Sequence, residues 1–197
     1  HNANQDRNLK YPIKLWYRRS IPQYATNLFA CGKDAGDWMF SGAPYQIVNN
    51  AIDATAYTYD PEKRTELRQK LDLRDELTIG HVGRFNPQKN HPFLLDIFAS
   101  LLEKEPNAVL LLVGGGEDMP KMQAKAQALD IAKHVRFLGV RSDVADLMQA
   151  MDVFVFPSLY EGLPVTMVEA QSAGLPCLIS DKIPPECIIT KGLVDIL

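Results

Sequence analysis

Two glutamates, Glu161 and Glu169, bracket a segment with Gly162 and Pro164 in the stretch YEGLPVTMVEA. Gly162 frees the backbone, and Pro164 suits the start of a helix, whose first N–H groups lack partners within the helix. Such N–H groups attract phosphate. Two nearby acids could exchange protons in general acid–base catalysis. Because ionised carboxylates only accept hydrogen bonds, the pair also suits the hydroxyls of a sugar joined to a nucleotide.

Each acid also has an explanation that needs no function. Glu161 beside a helix N-terminus would gain about 0.3–1 kcal/mol from the helix macrodipole. Glu169 could simply occupy an exposed position on that helix.

The loop HVGRFNPQKNH, residues 81–91, follows an apolar run that predicts a strand. Gly83 would let the backbone approach a ligand closely, and Arg84 and Lys89 would place two cations beside it. Taken alone, this loop is better explained as a solvated surface turn with incidental charges, since surface lysines and arginines are common.

The glycine-rich stretch VGGGED, residues 113–118, resembles part of a dinucleotide-binding fingerprint. Gly114 and Gly116 form G-x-G, but Met119 stands where the third glycine belongs. The stretch also follows the second predicted strand, whereas the fingerprint follows the first. We therefore predict a tight turn here.

Short apolar runs predict six strands, at 77–82, 109–113, 135–138, 153–156, 177–180 and 193–197. They are apolar throughout, which is typical of strands covered on both faces. Helical patterns alternate with them, so we predict the α/β class with a Rossmann-like, doubly wound parallel sheet. Right-handed crossovers place the loops that follow the strands at one edge, where such folds bind ligands.

The composition excludes several classes of protein. The 197 residues carry a net charge of −3, so we expect no nucleic-acid partner. No stretch approaches the roughly 20 apolar residues of a membrane span. Three scattered cysteines favour a reducing compartment, and four distant histidines lack ligand spacing, so we predict no metal site.

Residues 1–45 differ from the rest, and we interpret them as the tail of a preceding domain, with residues 46–197 forming the Rossmann-like domain. The start at His1 and the stop after a strand suggest truncation at both ends. The helix predicted at about 11–22 interleaves Arg18 and Arg19 with Trp16 and Tyr17. We favour a domain helix with Trp16 packed inward; contact with anionic lipid is the alternative.

At these motifs the sequence closely resembles the glycosyltransferase family 4 enzymes, which are retaining sugar transferases of GT-B fold. Glu161 and Glu169 match the family's E-x7-E motif, and GRFNPQKNH matches its Arg/Lys diphosphate loop. DVFVFPSLYEGLP and EAQSAGLP also follow the family pattern. The resemblance spans nearly the whole chain and implies the C-terminal half of a GT-B fold, preceded by a remnant of the acceptor-binding domain.

The resemblance implies roles for individual residues. Arg84 and Lys89 would neutralise the leaving diphosphate, and Glu161 would hold the donor sugar. His1 falls where related enzymes carry a histidine close to that sugar, and it completes the expected catalytic set. Glu169 would hold the ribose hydroxyls. The other expected contacts to the nucleotide sugar, with the base beside the loop after 135–138, are Gly83, Gly139, Val140, Gly162, Leu163, Pro164 and Val165.

The implied reaction needs no cofactor and no metal. The donor would be a nucleoside-diphosphate sugar, with UDP expected and GDP or ADP as alternatives. The acceptor would be a saccharide or lipid-linked saccharide in exopolysaccharide, lipopolysaccharide or glycolipid biosynthesis. We expect a cytoplasmic hexosyltransferase, with peripheral contact at the inner face of the plasma membrane as the alternative, and no turnover by this chain alone.

Two alternatives to this reaction stay open. A nucleotide-sugar epimerase of GT-B fold would bind the same donor without an acceptor. A redox or non-catalytic Rossmann domain is the other, and the broken G-x-G-x-x-G pattern argues against it.

Overall fold

Residues 11–197 are described by the structure, which is a computed structural model. The first part is a small unit of two helices and a two-stranded sheet. Helix α1 spans Tyr11–Tyr24 and helix α2 spans Lys33–Phe40. Strand β1 (Phe29–Ala30) pairs in parallel with β2 (Gln46–Ile47). The helix predicted at about 11–22 is therefore present as α1.

The expected inward packing of Trp16 is wrong, because this side chain is 65% exposed. Arg18 instead faces the unit, with its guanidinium carbon 5.1 Å from the ring centre of Trp38 in α2. Residues two positions apart differ in direction by about 200° around a helix. Since Arg18 faces α2, Trp16 necessarily points away from it.

A linker joins this unit to the main sheet. It contains a 3-10 turn at Ala54–Tyr57, capped by the Asp53 carboxylate, which accepts from Thr55 N at 3.1 Å. Helix α3 follows at Pro61–Lys70, with Asp60 as its N-cap.

Helix α3 has a highly charged sequence, yet its Arg68 is only 8% exposed. Its guanidinium donates to the backbone oxygens of Arg74, Glu76 and Ala150 at 2.6–3.1 Å. Asp152, just before β6, lies 3.4 Å from the same group. A buried arginine is tolerated when its donors are satisfied in this way, and this one ties α3 to the sheet.

Six parallel strands form the main sheet, in the order β5-β4-β3-β6-β7-β8. All six predicted strands are present: β3 Thr78–Val82, β4 Val109–Val113, β5 Val135–Gly139, β6 Val153–Phe156, β7 Cys177–Ile179 and β8 Val194–Ile196. The chain runs outward from β3 to one side and then returns to β6 on the other. This reversal makes the sheet doubly wound and places a crevice beyond the carboxyl ends of β3 and β6.

Helices cover both faces of the sheet, as expected from its uniformly apolar strands. They are α4 (His91–Leu102), α5 (Met119–Ala128), α6 (Val144–Gln149) and α7 (Val165–Ser172). Buried residues of α4 and α5 pack in one apolar cluster, and those of α6 and α7 pack in the other. No helix among residues 11–197 is long and apolar enough to cross a membrane.

Candidate functional site

Four loops meet at the carboxyl edge of the sheet. We call them the Arg/Lys loop (83–90, after β3), the glycine loop (114–118, after β4), the Val140 loop (139–143, at the end of β5) and the Glu161 loop (157–164, after β6). Every predicted site residue within the described chain lies in these loops or in α7. Parallel strands put their carboxyl ends at one edge, so the topology alone brings these distant segments together.

The glycine loop holds two of its neighbours in place through the backbone. Gly114 N donates to Gly139 O at 2.8 Å, and Phe85 N donates to Gly115 O at 2.9 Å. Gly114 has a φ of 138°, and a Cβ there would lie 2.0 Å from Gly83 O. Only glycine permits this approach. The predicted tight turn thus packs against both the Val140 loop and the Arg/Lys loop.

Lys89 and Glu161 form an ion pair that joins the Arg/Lys loop to the Glu161 loop. The Lys89 ammonium lies 2.7 Å from the Glu161 carboxylate, and the two side chains are only 14% and 8% exposed. The ammonium also lies 4.4 Å from the ring centre of Phe156, close enough for a cation–π contact. Both residues were predicted site residues, but their pairing with each other was not predicted.

Two hydrogen bonds to backbone oxygens also join the Arg/Lys loop to the Glu161 loop. Gln88 Nε2 donates to Tyr160 O at 2.9 Å, and Leu159 N donates to Gln88 O at 2.8 Å. Gln88 is 5% exposed, and the sequence assigned no role to it. A buried amide that satisfies a loop carbonyl fixes that loop's conformation.

The Glu161 loop leads directly into α7. Pro164 is the N-cap residue, and no side chain of the described part of the chain caps this end. The first turn of α7 therefore offers N–H groups and the positive end of the helix dipole to an anion. Val165 begins the helix and is 36% exposed, whereas Pro164 is buried.

Glu169 is the fifth residue of α7 and is half-buried rather than fully exposed. Tyr57 of the linker turn lies beside it. Burial of the Tyr57 side chain, together with a hydrogen bond to Glu169 and the charge of that carboxylate, raises the pKa of the Tyr57 phenol. A protonated phenol can donate to the carboxylate, so Tyr57 is a second residue at the site that the sequence did not single out.

Three other predicted site residues, Arg84, Gly139 and Val140, lie nearer the surface of the edge. Arg84 is exposed at the edge, and no ion pair to it is found among the described residues. Gly139 has a φ of 68°, and Val140 beside it is 83% exposed. These positions are open to a ligand. His1 lies outside the described residues.

Two buried histidines flank Lys89, and neither was predicted to belong to the site. His81 Nδ1 lies 2.8 Å from Val155 O, and its ring centre lies 4.8 Å from that of His91. Burial and the neighbouring His91 lower the pKa of His81 to about 3, and burial and the Lys89 charge lower the pKa of His91 to about 4. Both rings therefore stay neutral near pH 7 and leave Lys89 as the cation of this cluster.

No group of three or more histidine, cysteine, aspartate or glutamate side chains with the geometry of a metal site occurs within residues 11–197. Lys89 and Arg84 place two cations at the edge where an anionic ligand could reach them.

Comparison with known proteins identifies the family. Residues 63–194 match the family model described as Glycosyl transferases group 1. EpsF of Bacillus subtilis (strain 168) is 40% identical over 186 residues, which cover 91% of this chain and 48% of that protein. The chain belongs to the group 1 glycosyltransferases.

A second relative of this group 1 glycosyltransferase chain has a named activity. The UDP-Gal:alpha-D-GlcNAc-diphosphoundecaprenol alpha-1,3-galactosyltransferase of Escherichia coli is 33% identical over 147 residues, covering 73% of this chain and 38% of that enzyme. The chain thus spans about half or less of the length of these curated relatives. Neither relative is named as an epimerase, so the comparisons give that alternative no support.

Solved structures match the fold of the group 1 glycosyltransferase chain. Anabaena Alr3699/HepE in complex with UDP superposes with a TM-score of 0.83 at 22% identity, covering 100% of this chain and 56% of that one. WaaG, a glycosyltransferase involved in lipopolysaccharide biosynthesis, gives 0.81 at 24% identity, covering 98% and 57%. The predicted α/β class with its parallel sheet is confirmed.

The neutral burial of His91 predicts a specific pH dependence of stability. The unfolded histidine takes up a proton near pH 6.5, whereas the folded one resists protonation until about pH 4. The unfolded state then binds more protons, so the free energy of unfolding falls as the pH drops through this window. We expect His91→Phe, which can keep the stacking on Phe85, to make this fall shallower by up to about 1.4 kcal/mol per pH unit.

Urea unfolding of the wild type and of His91→Phe at several pH values between about 7 and 4.5 measures this difference. Equal slopes in the two proteins would contradict the neutral burial of His91.

Proposed function

We propose that the full-length protein is a retaining glycosyltransferase of family 4 that moves a hexose from a nucleoside-diphosphate sugar to an acceptor. The observation that carries this proposal is the ion pair between Lys89 and Glu161, 2.7 Å long, at the edge of the sheet beside the uncapped start of α7. It puts a cation, a hydroxyl acceptor and helix N–H groups within one site. A sugar linked to a diphosphate needs these three kinds of partner.

The proposed donor would lie across the edge from Glu161 to Val140. Its diphosphate would contact Lys89, Arg84 and the N–H groups at the start of α7, and its sugar would contact Glu161. The ribose would contact Glu169, whose carboxylate accepts hydrogen bonds from adjacent hydroxyls. The base would lie beside Gly139 and the exposed Val140. Gly83 and the segment Gly162–Val165 would approach the ligand through their backbones.

The chemical step would break the bond between the sugar and the diphosphate. The sugar becomes cation-like as this bond lengthens, and negative charge develops on the departing diphosphate. Lys89, Arg84 and the N–H groups of α7 would stabilise that charge where it appears, without a divalent ion. Glu161 would orient sugar hydroxyls and would not act as a proton carrier in this scheme, since its carboxylate is held by Lys89.

The donor and acceptor classes follow by analogy with relatives. Alr3699/HepE has been crystallised with UDP and with UDP-glucose, which supports UDP as the expected base, with GDP and ADP as alternatives. The Escherichia coli relative is named for a diphosphoundecaprenol-linked acceptor. We therefore propose a saccharide or lipid-linked saccharide acceptor and a role in polysaccharide or glycolipid biosynthesis. His1, from the acceptor-side remnant, would complete the catalytic set.

A lipid-linked acceptor suggests an enzyme that works in the cytoplasm, peripherally at the inner face of the plasma membrane. Helix α1 supports such a contact, because Trp16 and Tyr17 are 65% and 58% exposed and Arg19 lies beside them on the surface. Exposed aromatic and cationic side chains on one helix favour a membrane interface with anionic lipid.

The role of Glu169 is tested by Glu169→Gln in the full-length protein. The amide keeps the size of the carboxylate but loses its charge, and we expect UDP affinity to fall by about 10- to 100-fold, the loss of a hydrogen bond to a charged group. Isothermal titration with UDP measures this change. Glu103→Gln alters an exposed glutamate at the C-terminal end of α4, the end remote from the site loops, and serves as the matched control, expected to bind UDP as the wild type does. Unchanged affinity in Glu169→Gln would remove Glu169 from the site.

The membrane contact is tested by the double variant Trp16→Ala, Arg19→Glu, which spares the packed Arg18. We expect its binding to vesicles rich in anionic phospholipid to weaken by about tenfold or more. Arg74→Glu reverses an exposed charge just before β3, outside the small unit, and controls for net charge. Equal vesicle binding by the wild type and the double variant would disprove a role of α1 at the membrane.

A further inference from the structure

The linker before the main sheet reaches into the Glu161 loop through Asn50. Asn50 Nδ2 donates to Leu163 O at 3.2 Å, across 113 positions of the chain. We propose that Asn50 is a positioning residue that orients the Glu161 loop, and with it the first turn of α7, for binding the donor diphosphate. This inference rests on the function proposed above.

The position of the Leu163 carbonyl matters because Pro164 and helix α7 come directly after it. The peptide group between Leu163 and Pro164 is planar. A hydrogen bond that fixes the orientation of the Leu163 carbonyl therefore also fixes the orientation of the Pro164 backbone at the start of α7. Proline adds a restricted φ, here −71°. Since no side chain caps this end of α7 among the described residues, the hydrogen bond from Asn50 sets the direction of the first N–H groups of the helix.

The first half of the Glu161 loop is held by other segments of the carboxyl edge. Ser180, after β7, donates from its Oγ to Ser158 O at 2.5 Å. Gln88 and Lys89 of the Arg/Lys loop bind its first half, at Tyr160 and Glu161. Its second half, at Leu163, receives its side-chain hydrogen bond from Asn50. The loop is therefore clamped between the Arg/Lys loop and the linker, and the two anchors act on either side of Gly162, its most flexible residue.

Asn50 can act as an anchor because the linker is itself fixed at both ends. Val48 N donates to Ala30 O at 2.8 Å and holds the linker to the small unit. On the other side, Asp53 caps the turn that carries Tyr57 against α7. The small unit also lies close to the Glu161 loop, since Cys31 Sγ lies 3.7 Å from where a Cβ on Gly162 would be. A shift of the small unit would thus reach the diphosphate-binding turn through Asn50.

A purely structural role for Asn50 would affect stability, not donor binding. The side chain is exposed, and surface substitutions of this kind change the melting temperature of a protein of this size by only about 2 °C. The effect on the loop should be seen in the KM for the donor. The two kinds of role are therefore distinguishable.

The experiment compares three variants of the full-length protein with the wild type. Asn50→Ala removes the donor group, and Asn50→Asp keeps the shape but sets a carboxylate against the Leu163 carbonyl and near the diphosphate. Asn49→Ala alters the exposed neighbour, for which no side-chain hydrogen bond is found among the described residues, and is the matched control. The measured quantities are KM and kcat for the UDP-sugar, the Kd of UDP and the melting temperature.

We expect Asn50→Ala to raise the KM for the donor and the Kd of UDP by about 5-fold, the effect of one lost hydrogen bond, with kcat within about twofold. Asn50→Asp should raise both constants further, because its charge also repels the diphosphate. Asn49→Ala should match the wild type, and all melting temperatures should agree within about 2 °C.

A donor KM and UDP Kd in Asn50→Ala equal to those of the wild type, or an equal rise in Asn49→Ala, would overturn the positioning role and leave the proposed function intact. A wild-type protein that binds no nucleoside-diphosphate sugar would instead overturn the proposed function.

Discussion

The ion pair between Lys89 and Glu161 is the interaction on which the rest of the site depends. With side chains only 14% and 8% exposed, neither charge would be stable there without the other. The pair also contains the two groups that the proposed donor needs, a cation for its diphosphate and an acceptor for its sugar. The site is therefore already charge-balanced before the donor binds. On binding, the diphosphate would interact with Lys89, and sugar hydroxyls would donate to Glu161 in place of part of its interaction with Lys89.

The fold supplies the conditions for this pair. The parallel sheet brings the loops after β3 and β6 to one edge, and the glycine loop allows two backbones to pack where any side chain would collide. His81 and His91 are held neutral beside Lys89 by burial, which avoids repulsion between adjacent cations. The linker contacts the site from the other side, where Asn50 donates to Leu163 O and Tyr57 lies beside Glu169. Each of these interactions fixes a loop at the carboxyl edge, so the sheet and the linker together determine the conformation of the site loops.

The sequence was sufficient to predict the sheet and the edge shared by the loops that follow its strands, but not how those loops are held together. Strands were predictable because a strand covered on both faces is apolar throughout, and their loops must then share an edge. The pairing of Lys89 with Glu161 spans 72 positions, and no local pattern encodes such a partner. The same holds for Asn50, an unremarkable polar residue of the linker. Trp16 was misjudged because aromaticity predicts burial only on average, and Arg68 likewise shows that a charged side chain can be buried when its donors are satisfied.

The proposed function requires that the edge between the Arg/Lys loop and α7 binds the diphosphate of a nucleotide sugar. A crystal structure of the full-length protein with UDP would show whether it does. We predict the diphosphate within hydrogen-bond distance of the Lys89 ammonium and the first N–H groups of α7, with the ribose hydroxyls at Glu169. UDP bound elsewhere on the protein, with the Lys89–Glu161 pair and the start of α7 untouched, would contradict this prediction.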